Sequence, residues 1–117
     1  MSPKDLVDAL RLGILEANSD SYREILRQSL EGETFHDPYW AKTSALYRSL
    51  DEDGRSQLVA IMRQVIKDTL SNVLGVLDGS STLPRSPDGF HLTYGKQGQA
   101  LNVELQDIFL AACESEG

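Results

Sequence analysis

Cysteine is almost missing from this chain: Cys113 is the only one in 117 residues. That excludes an intrachain disulfide and every zinc framework built on cysteine pairs, and it suits a reducing compartment. Long apolar runs are missing too. The longest, "IFLAAC", has six residues, against the roughly 20 that a membrane-spanning helix needs. The opening "MSPKDLVDAL" lacks the continuous apolar stretch of an export signal, so the expected location is cytoplasmic. Positive charge is scarce: 11 basic side chains face 18 acidic ones, for a formal charge of -7. The basic residues are spread singly from Lys4 to Lys96, and only acids follow, Glu104, Asp107, Glu114 and Glu116. Such a balance repels phosphate backbones and anionic headgroups, so neither nucleic acid nor a membrane is an expected partner.

What is present is enough to fold. A hydrophobic fraction of 40% and a charged fraction of 25% match globular averages, and the length suits one core, so residues 1–117 are expected to form a single helical domain. Ser2, Pro3 and Asp5 make a helix start. Leu6, Val7, Leu10, Ile14 and Ala17 then recur at helical spacing and predict a first helix over about residues 3–17. Ser21 and Glu24 have capping-box spacing after the polar run "NSDS", which predicts a second helix, its stripe Tyr22, Ile25, Leu26, Ser29 and Leu30, ending at Gly32, with one long kinked helix as the alternative. Asp51 caps a long central helix over about residues 52–78, whose wide apolar face runs from Leu58 to Leu77 and is expected to contact most other elements. Gly79, Pro84, Pro87 and Gly89 oppose helix, and "SPDG" predicts a turn. Alternation over residues 90–94 with the turn "GKQG" predicts a short hairpin within about residues 90–101. Asn102 is expected to cap a final helix with Leu105, Ile108, Phe109 and Ala112 inward. The fold class is therefore mainly α, a bundle of four or five helices around the central one.

The stretch "FHDPYW", residues 35–40, sets a histidine beside an aspartate and three aromatics, as a binding site would. Aspartate followed by proline is also the pattern of a helix start, with Tyr39, Trp40, Thr43, Leu46, Tyr47 and Leu50 downstream on one face. The helix entry is the simpler reading.

Reactive chemistry finds little support. The nitrogen and sulfur donors His36, His91 and Cys113 stand 55 and 22 residues apart, with no local pair to hold a metal, so no cofactor is expected. "DEDG" at residues 51–54 fails as a calcium loop, because Ala60 stands where a bidentate glutamate is needed. No serine lies in a nucleophile-elbow context. Carboxylates close in sequence, such as Asp5 and Asp8, are expected to be solvated and unperturbed.

These features point to a non-enzymatic acidic interaction module, of the kind an inhibitor or immunity-type protein represents, for a partner with a basic surface. Asp51, Glu52, Asp53, Glu104, Asp107 and Glu114 are the candidate contacts. A homodimer through the central helix is a further form of the same reading. The alternative is a small ligand- or metal-binding domain using His36, Trp40, His91 and the segment 79–98.

If Asp37 is a helix cap, Asp37→Asn keeps most of the stability, whereas Asp37→Ala costs about 0.5–2 kcal/mol in chemical denaturation. Equal losses from the two substitutions would remove the cap.

Overall fold

A computed structural model of the chain describes residues 1–32, 35–80 and 89–115. It is mainly helical, with one small antiparallel hairpin. In chain order the elements are α1 (Pro3–Leu10), a π-helical segment (Arg11–Glu16), α2 (Ala17–Leu30), α3 (Pro38–Ser49), α4 (Glu52–Asp78), β1 (Thr93–Tyr94), β2 (Gln99–Ala100) and α5 (Leu105–Glu114). No helix among the described residues is long and apolar enough to cross a membrane.

The start of α1 is a capping box. The Ser2 hydroxyl accepts from the Asp5 N–H at 3.1 Å, and the Asp5 carboxylate accepts from the Ser2 N–H at 3.0 Å. Those bonds from Ser2 hold the Asp5 carboxyl below its ordinary range, so it is not the unperturbed surface acid that the sequence suggested.

No break follows at residues 18–21. The chain stays helical from Pro3 to Leu30, and Ser21 and Glu24 lie inside α2 rather than at a start. The irregularity comes earlier, in the π segment, where i→i+5 bonding takes an extra residue per turn. Its effect on phase is visible in the core. Val7 is buried, but the next core residue is Leu15, at 0% exposed, while Ile14 is 38% exposed. The expected stripe of Ile14 and Ala17 therefore gives way to Leu15 and Ser19, with Leu26 in phase again seven residues later.

The main core gathers Val7, Leu15, Leu70, Leu74, Leu105 and Phe109, with Leu6, Leu10, Ile66, Leu77, Leu92, Ile108, Leu110 and Cys113 packed around it. It joins α1, the π segment, α5 and the second half of α4. Cys113 is half-buried. A smaller cluster lies under α3, which buries Ser44 and Tyr47 and sets Trp40 against the ring of Tyr22, 5.7 Å between centroids. Leu46, expected inward, is exposed. Asp37 does cap α3: its carboxylate accepts from the Tyr39 N–H at 2.8 Å, and Pro38 opens the helix. "FHDPYW" is thus a helix entry.

The two ends of α4 are built as the sequence implied. Asp51 accepts from the Gly54 N–H at 2.7 Å, and Gly79 closes the helix at φ 85°, a left-handed conformation that favours glycine. The start of α5 is built differently. Asn102 does not cap it; its side-chain amide donates to Leu77 O and Phe90 O at 2.7 and 2.6 Å and accepts from the Leu92 N–H at 3.1 Å. Asn102 thereby ties the hairpin to the end of α4. The carboxylate at the α5 N-terminus is Asp78, from the last position of α4, accepting from the Gln106 N–H at 2.8 Å. A negative group at the end of one helix is thus matched to the positive end of the next.

The hairpin pairs Thr93 with Ala100 and Tyr94 with Gln99, and "GKQG" is its turn. The expected "SPDG" turn lies outside the described residues.

Close approach of α5 to α4 depends on Gly75. A Cβ there would meet the Gln106 amide at 2.9–3.0 Å, and that amide is fixed by bonds to Ser71 O, Ser71 Oγ and Ser80 Oγ. Alanine in a helix interior is favoured over glycine by about 1 kcal/mol, whereas each lost hydrogen bond costs about 0.5–1.5 kcal/mol. Gly75→Ala should therefore destabilise by about 1 kcal/mol in the native background and become stabilising by about 0.5–1 kcal/mol once Gln106→Ala has cleared the space. A double-mutant cycle by urea denaturation reads both signs.

Candidate functional site

The six acids singled out in the sequence all lie on the surface. Asp51 is committed to its capping bond, and Glu52 and Asp53 stand in the first turn of α4, where the helix dipole favours negative charge. Glu104 precedes α5 at its N-cap, and Asp107 and Glu114, seven residues apart, share the exposed face of that helix. Glu104 also holds φ at 56°, the one non-glycine residue at positive φ among those described. The two groups form separate patches. The first sits at the start of α4, and Glu104 lies beside Asp78 at its far end, about 40 Å away for a helix of this length.

Charge pairing sharpens the contrast. Lys4 pairs with Asp8 at 2.7 Å, Arg23 with Asp20 at 3.2 Å, Arg27 with Glu24 and Glu31, and Arg63 with Glu16 at 2.7 Å. All the acids in these pairs belong to α1, the π segment, α2 and the turn after it. None of the six acids at the start of α4 and on α5 forms an ion pair among the described residues.

His36 and His91 are both exposed. His36 precedes α3 and His91 precedes β1, which Asn102 holds to the end of α4. Trp40 is taken up by Tyr22 and by Tyr39, whose ring meets it edge-on at 5.2 Å. Among the described residues no group of three or more histidine, cysteine, aspartate or glutamate side chains converges to hold a metal.

A feature that sequence reasoning missed is an open groove of about 700 Å³ between α2, α3 and the first half of α4. Leu30, Tyr47, Val59 and Ala60 supply apolar lining, and Arg23, Arg55 and Arg63 stand around it. Three guanidiniums suggest an anion cradle, but each already serves the protein. Arg55 donates to Tyr47 O and Arg48 O at 3.0 and 2.9 Å and lies 5.6 Å over the Tyr47 ring, closing the carbonyl end of α3. Arg23 and Arg63 hold Asp20 and Glu16. No sequence motif announces the groove, because its lining comes from three helices.

No protein-family model, curated protein or solved structure matches the chain.

The Glu16–Arg63 pair ties the π segment to α4. Its hydrogen bond from Arg63 holds the Glu16 carboxyl below the ordinary range and raises Arg63 in turn. With the Glu16 side chain 36% exposed, solvent screening limits the pair to about 1 kcal/mol or less. A depressed carboxyl pKa stabilises the fold above its unfolded value and loses that contribution as pH falls through the folded one. The stability gap between the native chain and Glu16→Gln should therefore be constant near neutral pH and close as the solution is acidified below about 4.5, as urea midpoints at a series of pH values will read.

Proposed function

We propose that this chain is a non-enzymatic protein-interaction module that covers a basic surface of another protein, as an inhibitor or immunity-type protein does, in the cytoplasm. The observation that supports the reading is the division of charge. Asp8 of α1 and Asp20 and Glu24 of α2 each pair with a lysine or arginine of their own helix, whereas the acids of α4's first turn, Glu104 and the acids of α5's outer face have no ion-pair partner among the described residues. Uncompensated surface charge of one sign attracts an oppositely charged partner and speeds its encounter.

The shape of the two patches adds to this. Asp107 and Glu114 share one face of α5 and Glu104 stands just before it, an extended set that suits contact with several basic side chains more than capture of a single small cation. Carboxylates at a solvated rim act chiefly on the association rate and fix register, while affinity comes from apolar contacts nearer the centre of an interface.

The experiment begins with the immobilised chain and a native lysate at low ionic strength, followed by stopped-flow association of the recovered partner. Replacing Glu104 and Asp107 together by lysine is expected to slow association about tenfold at low salt and to flatten its salt dependence, with circular dichroism unchanged. A rate indifferent to both salt and charge reversal would reduce these acids to aids to solubility.

A further inference from the structure

We infer that the groove between α2, α3 and the first half of α4 binds a free α-amino acid with a large apolar side chain, its carboxylate on Arg55 and its ammonium on Glu52. The groove has a volume of about 700 Å³, within the range of small-molecule sites.

The charged groups of the lining are not equivalent. Arg23 and Arg63 hold Asp20 and Glu16. Arg55 donates from Nε and Nη2 to the Tyr47 and Arg48 carbonyls, which are dipoles and not counter-charges. No acid pairs with it among the described residues. Glu52, three residues earlier on the same helix and also in the lining, has no ion-pair partner among them either. The two do not close on each other, because the guanidinium is held at the carbonyl end of α3 by those two bonds and by the Tyr47 ring beneath it.

Residues three apart on a helix have their Cβ atoms about 5–6 Å from each other, so one fixed positive group and one unmatched negative group stand side by side. A simple anion on Arg55 would meet repulsion from Glu52, and a simple cation on Glu52 would meet it from Arg55. A zwitterion finds opposite charge at both, and an α-amino acid carries its two charges on a single carbon. The rest of the lining selects the side chain. Val59 and Ala60 follow Arg55 by four and five residues, about 6–8 Å along α4, and Leu30, 44% exposed, and the Tyr47 ring complete an apolar surface beside the charged pair. A phenylalanine or leucine side chain spans that offset; the hydrogen of glycine does not.

Of the acids assigned to a basic protein partner, this site uses Glu52 alone. Glu104 lies beside Asp78 at the other end of α4, so amino-acid binding and partner binding fail separately.

Two-dimensional NMR titration of the full chain with L-phenylalanine tests the site. The expected result is saturable shifts at millimolar or lower concentration in the backbone amides of Leu30, Tyr47, Arg55 and Val59, with those of α5 unmoved. N-acetyl-L-phenylalanine, without the ammonium, and L-phenylalaninamide, without the carboxylate, should each bind about fivefold or more weakly, and so should glycine, without the side chain. Glu52→Gln should weaken L-phenylalanine about fivefold and leave N-acetyl-L-phenylalanine unchanged, a pattern that mere loosening of the groove would not produce. A chain with Glu104→Lys and Asp107→Lys should bind L-phenylalanine as the native chain does. The proposal is overturned by the absence of saturable shifts, by shifts centred away from the groove, by equal affinity for the three phenylalanine compounds, or by a Glu52→Gln chain that loses the acetylated compound equally.

Discussion

The 27 residues of α4 make a rod about 40 Å long, and the helices around it are too short to enclose it. Everything else in the fold follows from how that length is shared. Helix α5, ten residues long, covers the second half of α4, and α1 with the π segment closes the main core over the same region. The first half meets α2 across an open groove and keeps much of its apolar surface in water. Between Glu52 and Thr69 no residue of α4 is fully buried; from Leu70 to Gly75 four are. A single rod thus has one end built like a protein interior and another that stays largely in water.

Polar groups do much of the joining where α4 ends. Asn102 and Asp78 satisfy backbone groups that the helix ends leave open, Gln106 donates to the Ser71 carbonyl on the flank of α4, and each bond reaches across at least 25 residues of sequence. Part-buried polar bonds of this kind favour one arrangement of α4, α5 and the hairpin, with the second Asp78 oxygen left without a hydrogen-bond partner among the described residues. Their dependence on Gly75, which lets the Gln106 amide lie against the helix, makes the junction a matter of shape as well as bonding.

Local chemistry was the legible part of the sequence. Ser2, Asp37, Asp51 and Gly79 act at the helix ends where their residue types foretold, and the "GKQG" hairpin turn forms as expected. The surface position of all six candidate acids was legible too, because carboxylates in first turns and on outer faces have no reason to be elsewhere. The phase of the first helix was not. A π turn carries no residue signature in "RLGILE", and one extra residue is enough to exchange Ile14 for Leu15 in the core. Asn102 looked like a cap because asparagine favours caps, yet the same amide satisfies three groups distant in sequence. The apolar face of α4 was read as a broad surface contacting most other elements, with a homodimer through it as a further form, since periodicity shows which positions share a face and not what lies against it. Both the groove and the exposed side of α4 depend on that tertiary information.

Helix α3 is held on different terms from the rest. Its buried face contributes a tyrosine and a serine, and the Ser44 hydroxyl has no hydrogen-bond partner among the described residues, a deficit worth about 1–3 kcal/mol. The main core is all aliphatic and aromatic. Fewer apolar groups hold α3 than hold α1, α5 and the second half of α4, so local opening at the extended Leu50–Asp51 link is expected to cost less there. The wall of the groove that holds Tyr47 is therefore expected to exchange its amide hydrogens sooner than the main core does.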